Sequence, residues 1–397
     1  MIHGGDRYRM NPKATRLNRA RAVTPGASQT SSRRHGKVGT GFYPAFATGG
    51  SGAYLQVDDG GTVIDLAGAN ATVPLGYNHA AVLAAVLKQV GQAGSLSLPT
   101  YLEAEASERL VDLLPFPAKV RWVRTGSEAV SAAVAIAQQV TGRTMIGVFE
   151  GSYHGWHPWT KQTIKLHADE INHKLFRSLA AIIVESPRWK LVDADDANRL
   201  ADLRTACDAA GALLVYDDVV YGFRFHRAGL QGSTDVRPDL ACFSKALGNG
   251  FPVACVAGEP DLMEQGSYTV SSTFGGETTG LAAANAVLTL HQTDDICGQL
   301  QRFGVALQDR LRAALMNTSI TLVGTPQHFR FEAPSEPILD RFLDLCIGLE
   351  TDALRVEQGA ERILIHKDAN NINLCLTAEV ADQIAHTVTL ASRQARL

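Results

Sequence analysis

The sequence predicts an α/β protein with a large domain built on a mostly parallel sheet flanked by helices, plus a smaller α+β domain. Three observations carry this. Strand-like runs at 120–124, 144–149, 180–184, 213–217, 240–244 and 253–257 alternate with helical periodicity, the pattern that parallel crossovers require. Ala180-Ala-Ile-Ile-Val184 is apolar throughout and Leu213-Leu-Val-Tyr-Asp217 nearly so, as in strands buried on both faces. Beyond about residue 300 the pattern changes to helices with isolated strands at Thr321-Leu-Val and Ile363-Leu-Ile-His.

The elements follow in order. Residues 1–40 are polar and rich in Arg, Ser and Thr, which reads as an arm with one helix from Pro12 to Ala22. Residues 52–66 form two alternating runs around Asp58-Asp59-Gly60-Gly61, a hairpin pattern. Helical spacing covers 79–93 and 103–114, the Ala-rich stretch Ser127 to Val140, Asp195 to Ala210, and Gly280 to His291. The expected organisation is an arm and hairpin over 1–66, belonging with the small domain, a large ligand-binding domain over 67–292, and a C-terminal small domain over 293–397.

Composition narrows the function classes. The chain has 397 residues, 45% hydrophobic and 19% charged, with a net charge of −3, so a basic nucleic-acid or anionic-membrane surface is not expected. The cluster Arg33-Arg34-His35 is too short to change that. No apolar run is long enough to cross a membrane, and Met1 to Arg7 lacks the apolar core of a signal peptide. Six scattered cysteines without a CxxC pair argue against zinc or a disulfide framework and for reduced thiols, hence a cytoplasmic protein.

Five motifs carry chemistry, and each has a plain reading beside the functional one. In open parallel sheets, ligands sit beyond the carboxyl ends of the strands. Thr125-Gly126-Ser127-Glu128-Ala129 follows one strand and opens a helix, where free amides suit a phosphate or where Thr125 is an ordinary cap. Gly151-Ser152-Tyr153-His154-Gly155 follows another, offering an aromatic stacking face or a loop with a surface histidine. Asp217 ends the 213–217 strand, where a buried carboxylate needs a partner or caps a junction. Val219 lies two residues on. Lys245 sits between an apolar run and a Gly-rich turn. In an apolar pocket a lysine becomes a nucleophilic amine; otherwise it is a surface lysine. Ser271-Ser272-Thr273-Phe274-Gly275-Gly276 is a second set of phosphate donors or a plain loop. One ligand explains all five in order: pyridoxal 5'-phosphate (PLP), which needs a Schiff-base lysine and an acid for its ring nitrogen.

At these residues the chain resembles fold-type I PLP enzymes of the class III aminotransferase family, nearest the glutamate-1-semialdehyde 2,1-aminomutase-like subgroup. The resemblance covers about 20–290 and rests on Pro25-Gly26, Gly52-Ala-Tyr-Leu with Val57-Asp58, Leu75-Gly76, Gly126-Ser127-Glu128-Ala129, Thr141-Gly142-Arg143, Tyr153-His154-Gly155, Asp217-Asp218-Val219, Ser244-Lys245 and Ser272 to Gly276. It implies that Lys245 forms the Schiff base and Asp217 pairs with the pyridine nitrogen. It places Tyr153 and Val219 on the two ring faces, with His154 and Glu185 near the cofactor. Gly126 and Ser127 then hold the phosphate, with Thr273 reaching it from the neighbouring subunit of a homodimer that shares its active sites. Thr30 and Arg33 of the arm become candidates for the substrate carboxylate. Arg188, Trp189, Trp156 and Trp159 are candidates for the substrate entrance.

The departures matter as much. Asp218 stands where the family has Glu, Ala135 replaces a usual arginine, and Ser186-Pro187-Arg188-Trp189-Lys190 replaces a Pro-Val-x-Gly pattern. The Tyr153–Asp217 segment is shorter than in the aminomutase, whose mobile gate there retains a diamino intermediate. The expectation is therefore an intermolecular aminotransferase with an amino-acid donor and an aldehyde or ketone acceptor in biosynthesis. The aminomutase and a PLP-dependent epimerase remain as alternatives.

Overall fold

The computed structural model describes residues 16–33, 46–167, 173–185, 194–266, 270–347 and 360–394, with no side-chain description at 173 and 194–197. Its centre is a seven-stranded sheet made of β4 (Lys119–Val123), β5 (Met145–Phe149), β6 (Ile164–Leu166), β7 (Leu179–Glu185), β8 (Leu213–Asp217), β9 (Leu240–Phe243) and β10 (Ala254–Gly258), ordered β4-β10-β9-β8-β7-β5-β6. The five strands from β9 across to β6 pair in parallel, whereas β10 runs antiparallel to both β9 and β4. Both faces are buried, and the side chains alternate between them with a period of two. Leu240 and Cys242 face the helix Gly126–Thr141, while Ala241 and Phe243 face the helices Tyr101–Leu113 and Thr278–Thr293. The helix Ala194–Ala210 covers β7 and β8 through Leu203 and Cys207.

The hairpin expected over 52–66 is β2 (Tyr54–Val57) against β3 (Thr62–Asp65), and β1 (Ala47–Ser51), which its two glycines had hidden, pairs with β2. β13 (Ile363–Leu364), shorter than its sequence run, adds in parallel to β3 and joins the two ends of the chain in one sheet. β11 (Thr321–Thr325), β12 (His328–Glu332) and β14 (Asn370–Asn371) form the third sheet. The helices Ile296–Ala314, Glu336–Ile347 and Ala378–Gln394 and these two small sheets share one apolar core. The arm helix is Arg16–Val23; the start expected at Pro12 lies outside the described residues.

Two family-like motifs have structural work. Arg143, in Thr141-Gly142-Arg143, donates to the carbonyls of Leu179, Ala210 and Gly211 at 2.9–3.0 Å, closing the sheet end away from the site. Asp218 is wholly buried and accepts the Leu230 amide on both oxygens at 3.1 Å. A β-carbon at Gly229 would lie 2.1 Å from its Oδ2, so the turn over Asp218 requires glycine there.

His291 gives the fold an acid-sensitive element. It is 1% exposed and edge-on to Phe223, and burial, reinforced by Arg227 and His226, holds its pKa down at about 4. The folded chain therefore keeps it neutral, while the unfolded chain protonates it below about 6.5. Its stability contribution is full above pH 6.5 and is lost as pH falls toward 4, by up to ~3 kcal/mol. Urea midpoints should fall across that window and fall less steeply in His291→Gln; parallel slopes would exclude His291 as the cause.

Candidate active site

The carboxyl ends of the parallel strands converge on one cavity of about 170 Å³, lined by Gly126, Ser127, Tyr153, His154, Glu185, Asp217, Val219 and Lys245. Asp217 is its deepest charge, 4% exposed at the last position of β8. His154 Nδ1 lies 2.8 Å from its Oδ2, and the Val219 amide donates to Oδ1 at 3.2 Å. An ionised carboxylate has about four acceptor positions, so capacity remains for a further N–H donor. The histidine is itself buried, and its Nε2 has no hydrogen-bond partner. Two residues beyond Asp217, the chain turns and sends Val219 across the Gly126 backbone.

The first turn of the helix Gly126–Thr141 forms the opposite wall. Thr125 and Glu128 make a reciprocal capping box: Thr125 Oγ1 accepts from the Glu128 amide at 3.2 Å, and Glu128 Oε2 accepts from the amides of Arg124 and Thr125 at 2.8 and 2.9 Å. The plain reading of Thr125 as a cap therefore holds. It takes up only part of the terminus, because the amides of Gly126 and Ser127 lie in the first turn and have no intrahelical acceptor. Those amides and the positive end of the helix dipole suit an anion. Glycine is required at 126, where a β-carbon would lie 2.7 Å from Val219 Cγ1. Gly126→Ala should push Val219 into the cavity and weaken cofactor affinity about tenfold or more, readable by PLP titration; unchanged affinity would exclude the close approach as a binding feature. Gly155, at φ 92°, presses on Ser127 and carries the Tyr153 loop over this turn. The Tyr153 amide donates to Glu185 Oε2 at 2.8 Å, which fastens the loop to the end of β7.

Lys245 occupies strained backbone, with φ 48°, a conformation that costs a non-glycine residue about 1 kcal/mol or more. The flanking residues hold it there. Ser244 Oγ donates to Val253 O at 3.0 Å, while the buried Asn249 accepts from the Leu75 amide and donates to Gly76 O, both at 3.0 Å. Lys245, Gly126 and Thr125 also line an adjoining cavity of about 410 Å³, bounded by Arg33, Tyr77, His79 and Arg124. Behind its wall Tyr77 donates its hydroxyl to Asp65 at 2.5 Å, and burial holds the Asp65 carboxyl above the usual range. Arg124 pairs with Glu277 at 2.6 Å, and Glu277 caps the helix Thr278–Thr293.

The structure thus brings together eight of the residues singled out in the sequence and sets Arg33 on the adjoining cavity. It does not bring Thr273 there; Ser272 to Phe274 are exposed on this chain, and the loop lines neither cavity. Thr30 is exposed and lines neither cavity. Trp159 is not at the entrance: it packs on the core and donates to Ser131 at 2.8 Å. Trp156 is exposed, and Arg188 and Trp189 lie outside the described residues. Sequence reading missed Arg124, Tyr77, Asp65 and Asn249. Only Asn249, in the left-handed region after Gly248, left a local signal.

These donors suit a flat, anionic carbonyl compound: helix amides for its phosphate, a buried acid for a ring nitrogen, an amine for its carbonyl. The aminotransferase class-III family model matches residues 36–160 and 157–325, most of the chain. Among solved structures the fold is similar to the PLP internal aldimine form of the FumI protein of Sphingopyxis sp. MTA144, at TM-score 0.84 and 22% identity over 95% of both chains. It is also similar to an omega-transaminase from Sphaerobacter thermophilus, at TM-score 0.80 and 22% identity over 99% of this chain and 100% of that one. A beta-phenylalanine aminotransferase from Variovorax paradoxus matches at TM-score 0.77 and 22% identity over 94% and 92%. Family match, sheet topology and site chemistry agree: the chain belongs to the class-III aminotransferases and is a PLP-dependent transaminase of fold type I.

Proposed function

We propose that this transaminase moves an amino group between two separate substrates, from an amino-acid donor to an aldehyde or ketone acceptor of a biosynthetic pathway. The observation that carries the reading is the one cavity holding Lys245, Asp217, the Gly126–Ser127 amides, Tyr153 and Val219. Bound PLP supplies an electron sink for the carbanion left when a substrate carbon loses its proton. The chain supplies the rest. Lys245 Nζ would hold the cofactor's carbonyl and, as a neutral amine within reach, would carry a proton at the substrate carbon. Asp217 would keep a ring nitrogen protonated, and its hydrogen bond with His154 Nδ1 fixes the carboxylate orientation. Tyr153 and Val219 would flank the cofactor ring, Glu185 would lie beside it, and the amides of Gly126 and Ser127 would take the phosphate. Arg33 binds a substrate carboxylate from the adjoining cavity.

We also propose a homodimer in which Thr273 of the partner subunit completes the phosphate site. Leu96, Leu98, Tyr101 and Phe274 are 55–89% exposed, and Thr278 ties its loop to this segment through the carbonyls of Ala93 and Gly94. Such a patch beside an unused donor loop fits an interface. Light scattering on the active protein should give twice the chain mass; a fully active monomer overturns this part.

The transfer itself is tested with a donor–acceptor screen. An amino-acid donor alone should convert the PLP absorbance to the pyridoxamine form, and a carbonyl acceptor should restore it. Rearrangement of glutamate-1-semialdehyde without a second substrate would favour the aminomutase. Exchange of the α-hydrogen without amino transfer would favour the epimerase.

A further inference from the structure

Arg33 reaches the cavity beside Lys245 from an arm that, among the described residues 16–33, has no buried apolar anchor. No residue from 16 to 33 is buried, and neither the helix Arg16–Val23 nor the turn Ser31–Arg33 covers a core. The turn is nevertheless held from the other end of the chain. His366 Nε2 lies 3.1 Å from the carbonyl oxygen of Ser32, the residue before Arg33. The geometry around His366 sets its tautomer. The Asp368 amide donates to His366 Nδ1 at 3.0 Å, so Nδ1 carries the lone pair and Nε2 the proton that Ser32 O accepts. His366 is 6% exposed, and Asn370, wholly buried, clamps its backbone by accepting from His366 N at 2.9 Å and donating to His366 O at 3.0 Å. The tether therefore runs from a rigid, buried residue just after β13 to an exposed turn whose next side chain enters the cavity.

We propose that His366 is a positioning residue for substrate recognition: through Ser32 O it fixes the turn that delivers Arg33 to the substrate carboxylate. The inference rests on the reading of Arg33 given above, and it assigns to the C-terminal portion a role in specificity without contact with substrate or cofactor. The amide of Gln reaches about as far as Nε2 and donates similarly, whereas Phe keeps the volume and loses the donor.

The test compares His366→Phe, His366→Gln and Arg33→Gln as PLP-loaded full-length proteins. Each is assayed with the best carboxylated donor from the screen and with the primary amide of that donor. Tryptic cleavage within the arm is followed in parallel. His366→Phe should raise KM for the carboxylated donor about tenfold, leave kcat and the amide's KM within about twofold, and speed cleavage of the arm. His366→Gln should restore both properties. Equal losses with both donors and no rescue by Gln would reduce His366 to a structural role. Faster cleavage with unchanged KM would also overturn the proposal, because the arm would then be tethered without serving recognition. If Arg33→Gln shows no selective loss, the carboxylate reading of Arg33 fails, while the cleavage result still reports the tether.

Discussion

Lys245→Ala should lower transamination by at least about 10³-fold, because one substitution removes both the covalent anchor and the proton carrier at the substrate carbon. The absorbance of the lysine-bound cofactor should vanish with it, and added PLP should dialyse away. The backbone allows a second measurement that activity alone cannot provide. At φ 48° alanine remains strained and glycine does not, so Lys245→Gly should unfold at a higher temperature than Lys245→Ala, by the equivalent of about 1 kcal/mol. An inactive Lys245→Ala protein that kept the lysine-bound spectrum would transfer the role to another amine. Equal melting temperatures for the two variants would mean that the left-handed turn stores no strain.

Asp217→Ala carries the second-largest effect. The carboxylate is the acceptor for His154 Nδ1 and for the Val219 amide, and it is the more deeply buried of the two acids lining this cavity. Its removal should lower kcat by about 10²–10³-fold, the usual loss when a preorganised electrostatic partner is taken away. It should also destabilise the fold by about 1–3 kcal/mol, because the buried His154 loses its hydrogen-bonded partner. Asp217→Asn separates the two effects: the amide preserves shape but cannot stabilise a positive ring nitrogen, so stability should largely return while kcat stays low. If Asp217→Asn turned over within about threefold of the wild type, the ring-nitrogen role would fall and only the structural one would remain.

Much of the site was legible because each member sits at a chain position with a local signature. Asp217 ends an apolar run, Gly126-Ser127 opens a helix behind a Thr–Glu capping pair, and Lys245 precedes a Gly-rich turn. Strands buried on both faces announced themselves in the same way, as unbroken apolar segments. β1 did not, since Gly49 and Gly50 supply no side chains from which to read an alternation. The direction of β10 was equally silent, because a buried strand has the same composition whether its neighbours run parallel or antiparallel to it.

What escaped the sequence consists of pairs distant in the chain. His154 and Asp217 stand 63 residues apart, Asn249 and Leu75 174 apart, and His366 and Ser32 334 apart. None carries a local mark of its partner. Local order along the chain determined the fold class and singled out the candidate lysine, acid and helix end, because each follows from propensity, periodicity or capping within a few residues. The folded chain alone decided that His154 pairs with the acid, that Arg33 rather than Thr30 lines the second cavity, and what holds it there. Those are matters of distance between strand ends and loops, settled only when the sheet order sets the elements side by side.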